Sequence, residues 1–313
     1  MDNLTHGLVG ALIGQAGLKR KTGLAMPALV IGANLPDVDA ACFLWLDGVQ
    51  HVGFRRGITH GPIAWVLLPL ILAGLLWGWD RWQAKRGTRP EGRLPVHFGW
   101  LYALAFIACL THPALDWLNV YGIRLLEPFS TRWFYGDVLF IIDVWLWLGL
   151  GFATWLSLRS EKQGGEWRRI GRGALVGALC YVFINWMITQ GGTSQIRARE
   201  YHTADAIVVP VPLNPLSRGL ITVTGGFPGK MVFVDHKPLG DAFLDQCNFA
   251  EIRARDPNVN AFLLWSRAPF VERLEDGKWK LSDARFPSTG GGRFSVVLPE
   301  ETCRLNEWLA EPS

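Results

Sequence analysis

The chain has 313 residues, of which 50% are apolar, 12% aromatic and 19% charged, and it contains 16 Trp. This composition argues against a disordered chain, a fibrous protein and an ordinary soluble enzyme. The charge is unevenly distributed: residues 191–313 hold 14 basic and 15 acidic residues, whereas residues 1–190 hold 17 and 12, with 13 of the 16 Trp. The excess positive charge therefore lies in the apolar part, which favours membrane topology over nucleic-acid binding as its cause.

Long apolar runs in the first part predict a helical, multi-pass membrane domain. Residues 61–79 contain no charge and are long enough to cross about 30 Å of hydrocarbon as a helix. Runs of similar length cover 98–118, 138–158 and 170–190, and Asp143 interrupts the middle one. An ionisable residue inside a membrane span is expensive to bury and is usually functional, so Asp143 is predicted to be a metal ligand or the partner of one.

Two shorter apolar stretches, 7–18 and 23–35, predict a tight helical hairpin that partly or wholly enters the membrane. Gly7, Gly10, Gly14 and Gly17 fall on one face of the first helix, where small residues let a neighbouring backbone approach closely.

Basic loops predict the orientation of the helices. Residues 80–94 and 159–172 each carry five Lys or Arg, and Lys19-Arg20-Lys21 follows the first short helix. Because cytoplasmic loops are enriched in basic residues, these three connections are expected inside the cell. The opposite helix ends, and everything after residue 190, are then expected outside.

The C-terminal part is predicted to be a small β-rich (α+β) domain on the extracytoplasmic side. Runs rich in Val, Ile and Phe alternate there with Gly and Pro, as in 206–211, 230–234 and 261–265. The expected domains are therefore 1–190, helical and embedded in the membrane, and 191–313, extracytoplasmic. Cys247 and Cys303 both fall in the second, where a disulfide is permitted, but their spacing leaves the pairing open.

The few His and Asp of the first part gather where the topology places helix ends on the outer side. Three of the seven His follow a Thr, and Asp116 follows His112 by four residues, so these two can share one helix face. Converging imidazole and carboxylate groups are the ligand set of zinc and other hydrolytic metal ions, with manganese as the second choice. The predicted ligands are His6, Asp37, Asp39, His60, His112 and Asp116.

A divalent ion at such a site lowers the pKa of bound water and polarises the bond to be cleaved. The candidate catalytic residues are Asp37 and Asp116 as carboxylates of the site, Asp143, and Arg56. Arg55 and Arg56 flank His60 and suit a phosphate or carboxylate group, although anchoring to lipid headgroups explains them equally well.

Several motifs in order make the sequence resemble the YdjM family of bacterial membrane-bound metal-dependent hydrolases. They are Met1-Asp-Asn-Leu-Thr-His6-Gly, Leu35-Pro-Asp-Val-Asp39, Arg55-Arg-Gly-Ile-Thr-His60 and Thr111-His-Pro-Ala-Leu-Asp116, followed by Asn119-Val-Tyr-Gly122 and Ile141-Ile-Asp143. The resemblance implies a multi-pass protein of the inner membrane, with the six His and Asp above at the positions of the family motifs.

A more distant resemblance is to the zinc-dependent phospholipases C, which makes phosphoester cleavage the favoured reaction. One departure concerns Arg55, where members of the YdjM family often have His. If that His is a ligand elsewhere, this chain has one ligand fewer, or His51 replaces it.

Two functions are compatible with the sequence. The first is a metal-dependent hydrolase acting at the outer face of the cytoplasmic membrane on a phosphoester or another lipid-linked ester. The alternative is a non-enzymatic membrane scaffold or regulator with a structural metal site. The expected partners are the lipid bilayer and a membrane-delivered substrate, no nucleic acid is indicated, and any protein partner is left open.

Overall fold

The computed structural model describes residues 1–199, 204–224, 230–242, 244–286 and 294–304. The chain divides into two compact units. The first is built from Met1–Asp39, Arg56–Trp186 and Pro212–Pro215, and the second from Ala40–Arg55, Met187–Val211 and Leu216–Ser313. Residues 40–55 thus belong to the second unit, although the sequence places them inside the expected domain 1–190.

The first unit is helical, as the sequence predicts. In chain order, the helices of the described residues are α1 (Asn3–Gln15), α2 (Ala25–Gly32), α3 (Gln50–Phe54), α4 (Pro62–Lys85), α5 (Phe98–Trp117), α6 (Val144–Lys162), α7 (Trp167–Arg199), α8 (Phe249–Arg255) and α9 (Pro257–Trp265). Of these, α3, α8 and α9 belong to the second unit, as does the part of α7 from Met187 onward.

Three helices among the described residues are long and apolar enough to cross a membrane: α4, α5 and residues Trp167–Ser194 of α7. Helix α2 and the 3₁₀ segment Leu35–Leu44, which meet at 53°, would make a fourth span if together they form one. The predicted span 138–158 differs from the structure. Helix α6 begins only at Val144, because the Asp143 carboxylate caps it by accepting from the Leu146 N–H at 2.9 Å, and its last turn carries Arg159 and Lys162.

The hairpin of α1 and α2 packs through glycine, in agreement with the sequence. A Cβ atom at Gly10 would lie 2.5 Å from the Leu29 carbonyl oxygen, and one at Gly14 would lie 2.2 Å from the Met26 sulfur. A larger residue at Gly10 would therefore require α2 to move, because the obstacle is backbone, whereas one at Gly14 would displace the Met26 side chain. Leu29 continues into an apolar core with Leu72 and Leu101, and this core joins α2, α4 and α5.

The strands lie in the C-terminal region, which confirms the expected small β-sheet region, but the run 261–265, predicted to be strand-like, lies in helix α9. One sheet has the order β1 (Ala204–Val211), β2 (Asn214–Thr224), β3 (Met231–Val234), β4 (Lys237–Leu239), and the other has the order β5 (Pro269–Arg273), β6 (Trp279–Asp283), β7 (Ser295–Leu298). A disulfide joins Cys247 to Cys303. The side of the membrane on which this region lies stays a prediction.

Residues 40–55 pack on α9 within the second unit. The Val49 N–H donates to Asn258 Oδ1 at 2.9 Å, and a Cβ atom at Gly53 would lie 3.0 Å from the Ala261 Cβ. The segment that interrupts the first unit is therefore held by the second through helix α3.

Candidate metal centre

The predicted ligands lie on four separate elements of the first unit. His6 lies in α1, Asp37 and Asp39 lie in the 3₁₀ segment after α2, His60 ends a short 3₁₀ helix at Ile58–His60, and His112 and Asp116 lie in the last turns of α5. The first of these elements, α1, is fixed at its start by a capping side chain. The Asp2 carboxylate accepts from the N–H groups of Leu4 and Thr5 at 3.0 and 3.1 Å, so the Thr before His6 helps to start α1.

Two imidazole nitrogens lie side by side, and a carboxylate oxygen of each of two aspartates lies near both. His60 Nε2 and His112 Nε2 lie 3.2 Å apart. Each of these nitrogens lies between 3.5 and 4.0 Å from one oxygen of Asp37 and one oxygen of Asp116. A tetrahedral zinc ion with bonds of about 2.0–2.2 Å would hold its ligand atoms roughly 3.3–3.6 Å apart, so the spacing is close to that of a metal site.

The hydrogen bonds on the far side of each imidazole determine which nitrogen is free to bind. His112 Nδ1 lies 2.7 Å from the Ala33 carbonyl oxygen, which can only accept, so Nδ1 carries the proton and Nε2 has the lone pair. His60 Nδ1 lies 3.0 Å from Thr59 Oγ1, and that hydroxyl donates to Asp39 Oδ2 at 3.3 Å, so Nδ1 donates to the hydroxyl oxygen and Nε2 again has the lone pair. Burial lowers the pKa of His60, which favours the neutral form that binds metals.

His6 extends the cluster to a second, overlapping group. Its ring stacks on His112 with centroids 3.7 Å apart, and its Nε2 lies 3.4 Å from Asp116 Oδ1. Neither ring nitrogen of His6 has a hydrogen-bond partner among the described residues, although the side chain is fully buried. Burial lowers the pKa of His6 to about 3. The two groups that could hold an ion are thus His6, His112 and Asp116, and Asp37, His60 and His112.

These observations fit a bound cation. Two imidazole lone pairs and two carboxylate oxygens converge in a buried place, and an unpaired buried imidazole is costly unless something binds it. Two basic groups already contact the cluster: the amino group of Met1 contacts Asp116 Oδ1, and Arg56 Nε lies 3.0 Å from Asp116 Oδ2. The donor set, all nitrogen and oxygen, suits zinc or manganese.

Asp39 is in neither group, although the sequence predicts it to be a ligand. Its Oδ2 accepts from the Arg56 backbone N–H at 2.7 Å and from the Thr59 hydroxyl at 3.3 Å, on the Nδ1 side of His60. Asp37 and Asp39 lie in a 3₁₀ segment, where each residue turns the chain by about 120°, so side chains two residues apart point in different directions. Asp39 thus orients His60, while Asp37 faces the ligand atoms.

Arg56 is buried and bonded on several sides. Its Nε lies 3.0 Å from Asp116 Oδ2, and its Nη1 donates to Asn119 Oδ1 at 2.9 Å and to the Gly122 carbonyl at 3.2 Å. The guanidinium also lies 4.5 Å from the centre of the Tyr121 ring. These contacts hold Asp116 in place, and the phosphate-binding role predicted for Arg56 stays a prediction.

The remaining candidates lie in neither group. Asp143 caps α6, and its Oδ2 accepts from the Tyr181 hydroxyl at 2.9 Å. It is in neither group of candidate ligands, so these contacts do not support its predicted catalytic role. Arg55 and His51 belong to the second unit, where the Arg55 guanidinium lies over Phe43 and His51 Nδ1 lies 3.1 Å from the Gly48 carbonyl. The structure therefore offers no support for His51 as a replacement ligand.

Sequence reasoning missed the partners that orient the ligands. Asn119 binds Arg56 and donates from Nδ2 to Asp116 Oδ1 at 3.4 Å, and its position three residues after Asp116 was the available signal. The Ala33 carbonyl, which fixes the tautomer of His112, belongs to the backbone, so the residue types along the sequence do not indicate it.

Fold and site together define a polytopic helical membrane protein with a buried His/Asp cluster suited to a metal ion. The chain belongs to the family described as YdjM inner membrane protein, whose profile matches residues 1–192. The matched region contains every member of the cluster.

A curated relative is described as uncharacterized protein YfhP of Bacillus subtilis (strain 168). It is 29% identical over 141 residues, which is 42% of this chain and 39% of the relative, so the chain matches less than half of that protein. No solved structure matches the chain.

Proposed function

We propose that this protein is a membrane-embedded metal-dependent hydrolase that cleaves a phosphoester or another lipid-linked ester at the outer face of the cytoplasmic membrane. The observation that carries the proposal is that His60 Nε2 and His112 Nε2 lie 3.2 Å apart and that each lies 3.5–4.0 Å from one oxygen of Asp37 and one oxygen of Asp116. Zinc is the preferred ion and manganese the second choice.

The residues of the cluster would divide the work of hydrolysis. A bound divalent ion makes water acidic and polarises the bond to be cleaved. His60 and His112 would hold the ion, each oriented from its Nδ1 side by Asp39 and the Ala33 carbonyl. The Asp37 side chain is 7% exposed, against 1% for Asp116, so Asp37 is the carboxylate better placed to take a proton from the attacking water.

Exposed apolar side chains beside the ligands support a lipid-linked substrate. Val38, between the two aspartates, is 52% exposed, and Ile58, two residues before His60, is 55% exposed. A substrate delivered from the membrane would bring an apolar chain that could pack on these side chains.

The disulfide supports the proposed location of the second unit outside the cytoplasm. Structural disulfides persist in oxidising compartments and are rare in the cytosol. In intact cells, a thiol reagent that cannot cross the membrane should label Cys247 and Cys303 only after reduction. Activity reporters fused at residues 88 and 313 should report opposite sides, and finding both on one side would overturn this orientation.

A structural metal site in a scaffold or regulator is the second candidate. One observation favours it: oxygens of both Asp37 and Asp116 lie within 4.0 Å of the two imidazole nitrogens, so protein groups would be at hand for every position of a zinc ion, and closed four-ligand zinc sites are structural. A hydrolase needs a position open to water or substrate. The two candidates therefore differ in turnover and agree on bound metal.

The first experiment measures metal per chain in purified full-length protein, together with turnover on a panel of phosphomonoesters, phosphodiesters and phospholipids. The double variant His112→Ala/Asp116→Ala should lose both metal and turnover. Asp80→Asn is the matched control, because Asp80 is a buried carboxylate near the other end of α4, paired with Arg93 at 3.0 Å. If the double variant and the wild type contained equal metal per chain, the proposed metal site would be refuted. If the wild type contained metal but showed no turnover on the panel, the scaffold would be the remaining candidate function. Comparing the lipids of cells with wild-type and Asp116→Asn protein would then identify the substrate.

A further inference from the structure

A surface cavity lies at the start of α7, among residues that the proposed hydrolase does not use. Its volume is about 680 Å³, and its walls include Arg168, Arg169 and Arg172 together with the Trp167 side chain and Val176. It belongs to the helical unit and lies at the basic end of the helices. Helices α4 and α5 carry the cluster at the opposite end, with His60 just before the start of α4 and Asp116 in the last turn of α5.

The wall of the cavity is strongly basic. Its lining residues include three Arg and one Glu. The Trp167 ring also lies under two cations: Lys19 Nζ is 4.5 Å from its centre, and the Arg168 guanidinium is 5.1 Å from it. Glu166 pairs with Arg169 at 3.4 Å, but both side chains are mostly exposed, so this pair neutralises little. The chemistry of the wall therefore suits a phosphate group.

The position of the cavity is fixed by close packing. The Arg172 Nε donates to the Ala16 carbonyl at 3.1 Å, and a Cβ atom at Gly171 would lie 2.8 Å from the Ala16 nitrogen. The first turns of α7 are thus packed on the end of α1, which brings Lys19 to Trp167. The arginines project from a packed helix end and not from a free loop.

An exposed apolar stripe leads from the cavity along α7. Val176 in the cavity wall is 59% exposed, Leu179 is 69% exposed and Phe183 is 59% exposed, at the spacing of one helix face. This part of α7 is a candidate membrane span, and only 11% of its apolar window is buried inside the protein. A basic cavity that continues into a lipid-facing stripe matches a molecule with an anionic head and an apolar tail.

We propose that this cavity binds the headgroup of an anionic phospholipid, with the phosphate at Arg168, Arg169 and Arg172 and an acyl chain along Val176 and Leu179. Clusters of basic residues beside a membrane span attract such headgroups, and each basic residue near the surface strengthens binding about fivefold. Phosphatidylglycerol or cardiolipin should therefore bind about a hundredfold more tightly than phosphatidylcholine.

The test uses full-length protein in a zwitterionic detergent, with bound lipid counted by native mass spectrometry and the melting temperature measured in parallel. The added ligands are phosphatidylglycerol, cardiolipin, phosphatidylcholine and free glycerol phosphate. The triple variant Arg168→Gln/Arg169→Gln/Arg172→Gln should bind the two anionic lipids about a hundredfold more weakly. The matched control is Arg81→Gln/Lys85→Gln/Arg86→Gln, which removes the same charge from exposed residues of the same end, outside the cavity wall.

The proposal is overturned if wild-type protein binds anionic lipid no better than phosphatidylcholine, or if the control loses as much binding as the triple variant. Stabilisation by free glycerol phosphate equal to that by phosphatidylglycerol would also overturn it, because the site would then bind a soluble phosphate. If the triple variant does not fold, Arg169→Gln decides, since this side chain is 87% exposed and its loss should weaken lipid binding about fivefold without unfolding the protein.

Discussion

Each of the two units buries a carboxylate beside an arginine, and the two carboxylates have very different surroundings. In the second unit, Asp283 Oδ2 accepts from the Ser266 hydroxyl at 2.5 Å and from the Arg267 N–H at 3.0 Å, while Asp283 Oδ1 accepts from the Arg285 Nε at 2.8 Å. In the helical unit, Asp116 contacts Arg56 but also faces three imidazoles at 3.4–3.6 Å.

The difference separates a structural carboxylate from one suited to a ligand. Asp283 is surrounded by donors, so its charge is satisfied without any further group. Asp116 lies among His side chains whose Nε2 atoms offer lone pairs, and a lone pair does not satisfy a carboxylate. Asp116 also has cationic partners, the Arg56 guanidinium and the Met1 amino group. What distinguishes it from Asp283 is that three imidazoles face it, and these are the groups that a metal ion would bind together with the carboxylate.

The largest expected effect is the loss of metal on replacing Asp116. Asp116→Asn should lower metal affinity by more than about a hundredfold, because even partners of ligands typically cost 10–100-fold. The measurement is metal per chain after dialysis against a competing chelator, and hydrogen exchange of β5 and β6 should show the second unit unchanged. If the Asp116→Asn protein kept wild-type metal, the two buried carboxylates would not differ as argued.

Replacing Asp283 should give the opposite pattern. Asp283→Asn leaves the Arg285 guanidinium buried beside a neutral amide, and breaking a buried ion pair in this way costs about 3–5 kcal/mol. Hydrogen exchange of β6 should report the lower free energy of unfolding of the second unit, while metal per chain stays at the wild-type value. Loss of metal together with stability would show that the two clusters are not independent.

The sequence predicts the helical unit well because its signals are local. Apolar runs give α4, α5 and α7, and glycine spacing gives the close approach of α1 and α2 at Gly10. Residues 40–55 could not be assigned to the second unit in this way, because their packing on α9 joins residues about 200 positions apart, such as Val49 and Asn258.

The sequence predicts which residues form the candidate site, but it does not predict the role of each residue. His6, His60, His112, Asp37 and Asp116 carry the chemistry in their residue types, and the structure brings them together. The roles of Asp39 and Arg56 depend on the 3₁₀ turn at 35–44 and on backbone donors, which the spacing Asp-x-Asp does not encode.

A smaller effect is expected at Asp39, where the two interpretations give different results. If Asp39 orients His60, the Asp39→Asn substitution should weaken zinc affinity about 10–100-fold. At saturating zinc, the variant protein should still bind as much zinc per chain as the wild type. The measurement is a zinc titration against a competing chelator, with Thr59→Ala as a milder companion because it removes only the hydroxyl next to His60 Nδ1. A variant that fails to bind zinc at saturation would restore Asp39 as a ligand.

The smallest effect is a pH dependence confined to the second unit. Burial alone would raise the pKa of Asp283, but the charge of Arg285 and its hydrogen bonds hold that pKa below the usual value. A carboxylate with a lowered pKa stabilises the folded state fully above its ordinary pKa of about 4, and this contribution is lost as the pH falls toward the folded value. Between about pH 4.5 and 2.5, wild-type protein should therefore lose stability more steeply than Asp283→Asn, by up to one proton.

Pulse proteolysis with pepsin in urea, scored on fragments of the second unit, measures this slope. Asp276→Asn is the matched control, since Asp276 is paired with Lys278 at 2.9 Å but largely exposed, and its slope should stay near that of the wild type. Equal slopes for the wild type and Asp283→Asn would mean that the Asp283 cluster does not set the acid stability of this unit.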